Sequence, residues 1–120
     1  MGLFNTLTNQ AILTTLALSR QQETIITNNM ANYDTPGFKA SGLSFQTQLA
    51  AALQQGPQAV AAVTGTVVTQ TGALRTDGNS VSLTGQMVDL AKAQLTYQTA
   101  VQALNTKVTE IKIVTEGRPQ

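Results

Sequence analysis

Apolar residues recur along this chain in two helical rhythms, separated by a stretch that has neither. Over residues 6–32, Ile12, Leu16, Ser19, Glu23, Ile26 and Met30 step 4-3-4-3-4. Beside them Phe4, Ala11, Leu18 and Ile25 repeat every seven. Two adjacent stripes make a broad apolar face, and no Gly or Pro falls between Leu3 and Asp34. The spacing therefore predicts a long first helix, wide enough to touch more than one neighbour. Towards the other end Leu83, Met87, Leu90, Gln94, Tyr97, Val101, Leu104, Val108, Ile111 and Thr115 step 4-3-4-3. Eight of these ten are apolar, which predicts a last helix carrying a coiled-coil seam. At 1.5 Å per residue the helices are roughly 40 and 50 Å long. The last helix can use the first as its partner, but the rest of the seam calls for other subunits.

Punctuation marks the element ends. The first helix should stop near Asn32, since Asn is tolerated at the left-handed position past a helix end. Pro36 biases Thr35 to an extended conformation. Thr35-Pro36-Gly37-Phe38 then has Pro and Gly at the two centres of a type II turn. Residues 44–55 read as a short helix with Phe45, Leu49, Ala52 and Leu53 on one face, stopped by Gly56-Pro57. Residues 58–76 are rich in Ala, Val, Thr and Gly; Val60 to Thr71 suits a weak β-ribbon or an extended loop, expected to order only inside an assembly. Asp77-Gly78 marks a turn. Ser82 is the expected N-cap of the last helix, without a capping box because Gly85 stands where Glu or Gln would. Gly117-Arg118-Pro119 should end that helix.

The expected fold is mainly α: long N- and C-terminal helices paired as a coiled-coil hairpin, with a short helix and an irregular or weak β segment between them. Three segments make one structural unit completed by assembly. Residues 1–34 are the N-terminal core helix, 35–76 the turn, short helix and extended insert, and 77–120 the C-terminal core helix.

Composition narrows the function. The chain has no Cys and no His, which removes thiol nucleophiles, disulfides, the usual zinc ligands and the commonest general base. Only 11% of its residues are charged, with a net charge of +1, so it lacks the basic footprint of a nucleic-acid binder. Ser, Thr, Asn and Gln make up 45 of the 120 residues. Neutral polar groups are cheaper to desolvate than charges, and such a surface suits close subunit packing. The start, Met1-Gly2-Leu3-Phe4-Asn5, lacks the pattern of a cleaved signal peptide and reads as an ordinary start rather than a myristoylation site. No run approaches the length of a membrane span.

The sequence shows no catalytic set. Asp34, Asp77, Asp89, Glu23, Glu110 and Glu116 lack metal-loop spacing, and no phosphate, dinucleotide or nucleophile-elbow motif occurs. Ser41 and Thr35 have no base to activate them. Asp34 and Asp77 sit beside turn residues, where Asp bonds local backbone. Lys92, Lys107 and Lys112 fall mainly outside the seam, and Tyr97 reads as core packing with its hydroxyl at an edge. No enzyme, cofactor, metal or small-molecule substrate is expected.

Two segments carry a resemblance. Asn28-Asn29-Met30-Ala31-Asn32-Tyr33-Asp34-Thr35-Pro36-Gly37-Phe38 closely resembles the signature shared by bacterial flagellar rod and hook proteins. Asp77-Gly78-Asn79-Ser80-Val81-Ser82-Leu83, followed by Met87, Leu95, Tyr97 and Gln98, looks like the FlgB type, the proximal rod protein. The resemblance covers both terminal thirds and leaves residues 41–75 unmatched. Phe38 stands where Tyr is commoner, and Ser82 and Thr84 stand where acidic residues are usual.

The resemblance implies a structural subunit of the basal-body proximal rod. Such subunits are exported unprocessed by the flagellar type III apparatus, stack helically around the export channel in the periplasmic space and transmit torque. The implied partners are other rod proteins, the rod-base adaptor, the export gate or membrane ring, and further copies of the chain. Two alternatives stand beside it: the neighbouring FlgC type, and a soluble helical adaptor or secretion chaperone.

Overall fold

A computed structural model describes residues 6–70 and 72–116. The element order is α1 (Thr6–Ala31), β1 (Ser41–Ser44), α2 (Gln46–Leu53), α3 (Pro57–Ala61), β2 (Thr66–Thr69) and α4 (Leu83–Glu116). The helices α1 and α4 form the long hairpin that the heptad spacing predicts, and the shape is elongated, 65 × 28 × 14 Å. The expectations for Met1–Asn5, for Thr71 and for Gly117-Arg118-Pro119 lie outside the described residues.

Both predicted stripes of α1 are used. Ile12, Ser19 and Ile26 are buried, and Leu16, Glu23 and Met30 are half-buried beside them. On the second stripe Leu18 joins Leu43 and Phe45 in a small core, with Ile25, Leu49 and Val63 packed around it. This core seats the insert on α1. Val60, fully buried, adds a second fastening, because the Thr14 hydroxyl donates to its carbonyl at 3.2 Å.

The insert corrects or settles the sequence reading in three places. The short helix begins at Gln46 rather than Ser44, because residues 41–44 pair with residues 66–69 in an antiparallel ladder, Ser44 opposite Thr66 and Ser41 opposite Thr69. Gly56-Pro57 ends α2 but also starts α3, with Pro57 in the first turn, where its missing N–H costs nothing. Third, of the two readings left open for residues 60–71, residues 66–69 take the strand, paired with β1, which is held against α1.

The turns follow their chemistry. Gly37 has φ +75°, and the Phe38 N–H donates to the Thr35 carbonyl at 3.2 Å, closing the expected turn. Asn32 does not take the left-handed conformation. Its N–H bonds the Asn28 and Asn29 carbonyls, and its side-chain amide donates to the Asn28 carbonyl at 2.8 Å. The last turn therefore closes on itself without positive φ. At α4 the Ser82 hydroxyl accepts the Gly85 N–H at 3.2 Å, the predicted cap.

Candidate functional site

The two motif segments, separated by nearly forty residues, are one joint. Asn79 is fully buried at its centre. Its amide nitrogen faces the carbonyls of Asn32 at 2.9 Å, Tyr33 at 3.1 Å and Thr35 at 2.7 Å. These oxygens belong to the turn that follows α1, so a side chain just upstream of α4 fastens the chain where it leaves α1. The Asn79 oxygen accepts the Val81 N–H at 2.7 Å, and Val81 is buried beside it.

Backbone bonds lace the same two segments together. Gly37 N–H donates to the Asp77 carbonyl at 2.8 Å, and Ser80 N–H to the Phe38 carbonyl at 2.9 Å. The Asp77 carboxylate accepts the Asn79 N–H at 3.0 Å, the local turn bond expected of it. The two glycines stack: a β-carbon on Gly78 would lie 3.5 Å from the Gly37 α-carbon. Thr35, Pro36 and Gly37 form the exposed outer edge of the joint, and Phe38 is half-buried.

Asn29 makes the second lock. Fully buried on α1, it donates to the Ser41 carbonyl at 2.7 Å and accepts the Ser41 N–H at 3.0 Å. Its amide also donates to Gln86 Oε1 at 2.9 Å, and Gln86 donates to Gln70 Oε1 at 2.9 Å. A short amide chain thus ties α1, β1, the segment after β2 and α4 together. Of the remaining motif residues, Asn28 receives the Asn32 amide through its carbonyl, and Ala31 is the exposed last residue of α1.

Sequence reasoning missed Arg75, Gln86 and Gln70. The Arg75 guanidinium donates to the Val81 carbonyl at 2.7 Å and to the Tyr33 carbonyl, and lies 4.1 Å over the Tyr33 ring. One signal was available, because Arg75 is the sole charge between Lys39 and Asp77.

The seam positions of α4 divide between covered and open. Leu90, Tyr97, Val101 and Leu104 are half-buried, whereas Leu83, Met87, Val108 and Ile111 are exposed. Gln94 and Thr115 are exposed as well. The line pressed deepest into the molecule is Gln86, Ala93 and Ala100, one position off the predicted seam. Small side chains there let the two helix backbones approach. Tyr97 lies beneath the Arg20 guanidinium, 5.5 Å from the ring centre. An open groove of about 530 Å³ runs between the helices, lined by Leu7, Ala11, Leu53, Leu95, Thr99 and Ala103. Leu95 itself is 65% exposed. Among the described residues no three acidic side chains gather as metal ligands would, and no helix is long and apolar enough to cross a membrane.

Comparison with known proteins bears on this joint directly. Residues 9–39, which hold most of α1 and the first motif, match the family described as flagella basal body rod protein. The flagellar basal body rod protein FlgB of Bacillus subtilis is 32% identical over 117 residues, with 84% of this chain and 88% of that protein covered. This chain belongs to the FlgB family. Its likeness to FlgB extends to Yersinia enterocolitica, at 29% identity over 115 residues with 78% of this chain and 82% of that protein covered. The Escherichia coli FlgB is 27% identical over 112 residues, covering 78% of this chain and 81% of that protein. FlgB relatives thus span both motif segments, and the joint lies within the shared length.

Proposed function

We propose that this chain is a structural subunit of the flagellar basal-body rod and that its α1–α4 hairpin is the part that packs against neighbouring subunits. The observation that carries the proposal is the Asn79 joint. It fixes the angle at which the chain leaves α1 and re-enters α4, so each subunit presents both helices in one geometry. A tube built of such hairpins around a channel would bury Leu83, Met87, Val108 and Ile111 between copies, a surface that one chain leaves in water. The many amide-backbone locks suit a part that carries torque, since they resist bending without needing a large core.

Partners follow from this position: further copies of the chain, neighbouring rod proteins, the rod-base adaptor, and the export gate or membrane ring. Passage through the flagellar type III apparatus would deliver the chain to the periplasmic space. The proximal place in the rod is favoured by relatives bearing the FlgB name rather than that of the FlgC type. No catalytic role is proposed, because the site consists of amides and backbone with no nucleophile beside a base.

The turn supplies the test. Gly37→Val should leave the chain exported yet absent from assembled rods, because a β-branched residue cannot hold φ +75° without strain. Normal rods in that strain would contradict the proposal.

A further inference from the structure

The small sheet has two unlike edges. The ladder alternates, so the Gln70 N–H bond to the Ala40 carbonyl, at 2.8 Å, fixes which residues face inward. Gly42 and Ser44 turn their backbone groups to β2, and Ser41 and Leu43 turn theirs outward. That outer edge of β1 is closed by side chains of α1. Asn29 takes both Ser41 groups, and Gln22 donates to the Leu43 carbonyl at 3.0 Å.

The same alternation turns the N–H and C=O of Val67 and Thr69 to the outer edge of β2. Among the described residues no partner bonds them. All four residues of β2 are exposed, with Val67 at 58% and Val68 at 45%. Edge strands in soluble proteins are usually guarded by charge, proline or a bulge. Here no charged residue occurs anywhere from Ala40 to Leu74.

We infer that β2 pairs edge to edge with β2 of a second copy, antiparallel about a twofold axis at Val68. Four arguments select this occupant. Outward backbone groups two residues apart are complementary to an extended strand. In a second copy β2 is the open edge of the sheet, because amides cover the edge of β1. Centring on Val68 sets Val67 opposite Thr69, so the outward groups of each copy meet those of the other, and sets Val68 opposite itself. A charge near a twofold axis would meet its own copy, and this segment has none.

Pairing would convert a two-stranded sheet, which is marginal by itself, into four strands in the order β1-β2-β2-β1. A twofold contact closes at two copies. It is therefore distinct from the open contacts of a tube and stands or falls apart from the rod proposal.

The cysteine-free chain permits a direct test. Across the axis the two Val68 residues form a non-hydrogen-bonded pair with α-carbons about 4.5 Å apart, within disulfide reach. Purified full-length Val68→Cys protein should crosslink under mild oxidation about tenfold faster than Thr24→Cys, whose thiol sits on exposed helix surface. A mixture of Val67→Cys and Thr69→Cys chains should crosslink to each other in preference to themselves. Adding Val67→Pro to Val68→Cys should reduce crosslinking to the Thr24→Cys rate with circular dichroism unchanged, because the lost N–H faces away from β1. Equal rates for Val68→Cys and Thr24→Cys, or crosslinking that survives Val67→Pro, would overturn the inference.

Discussion

Asn29 and Ser41 meet as two residues of a β-ladder would, although Asn29 lies in a helix. Its amide donates to the Ser41 carbonyl and accepts the Ser41 N–H, at 2.7 and 3.0 Å. The side chain thus substitutes for a strand and fastens the insert to α1. Asn29→Ala would leave both Ser41 groups and the Gln86 oxygen short of partners. A loss of about 2–3 kcal/mol is expected, read as a lower urea midpoint. Hydrogen exchange at Ser41 and Gln70 should speed up more than exchange in mid-α4.

Asn79 allows a sharper test because its nitrogen faces three carbonyl oxygens. Asn79→Asp would set a carboxylate against them. The ionised form is then disfavoured in the fold, so the folded-state pKa rises above the usual ~3.9 of an aspartate. The folded state binds the proton more tightly, and stability falls as pH climbs from about 4 through the raised value. Urea midpoints at pH 4 and pH 7 should show the variant closer to the original chain at the lower pH. An equal deficit at both would contradict the donor role.

Gly37 separates conformation from space. A β-carbon there would have nothing within 4 Å, yet φ is +75°. Gly37→Ala should cost about 1–2 kcal/mol from backbone strain alone, and Gly37→Asn less, since Asn visits this region more readily. Thermal denaturation of the two variants checks the order.

Met87, Leu95 and Val108 are exposed on α4, so replacing them with Gln should change the isolated chain's stability by less than about 0.5 kcal/mol each. If they face neighbouring subunits, the triple variant should still fold and be exported but fail to build rods. A variant that builds rods normally would place the contacts elsewhere on the hairpin.

Both long helices were legible because their signals are local. Heptad spacing marked α1 and α4, Pro36-Gly37 marked the turn, and Ser82 marked the cap. Of the two strands, β2 lies inside the 60–71 segment that suited a weak ribbon or a loop, whereas β1 was not legible. Ser41-Gly42-Leu43-Ser44 has no β-branched residue, and its partner lies some 25 residues away. Pro57 read as a stop, though a proline that ends one helix can begin the next. In the joint, the motif flagged Asn29, Asn32 and Asn79 without revealing their work, since their bonds reach across 12 to 57 residues. Hydrophobicity also pointed one position away from the deepest line of α4. Ala93 and Ala100 are selected there for size, and apolar patterning favours the larger neighbours.

The most direct test is electron microscopy of basal bodies from a strain lacking this gene, complemented with the original chain or with Asn79→Ala. The account predicts rings without rods in the deletion, rods restored by the original chain, and failure with Asn79→Ala despite export. Rods and hooks intact in the deletion strain would contradict it.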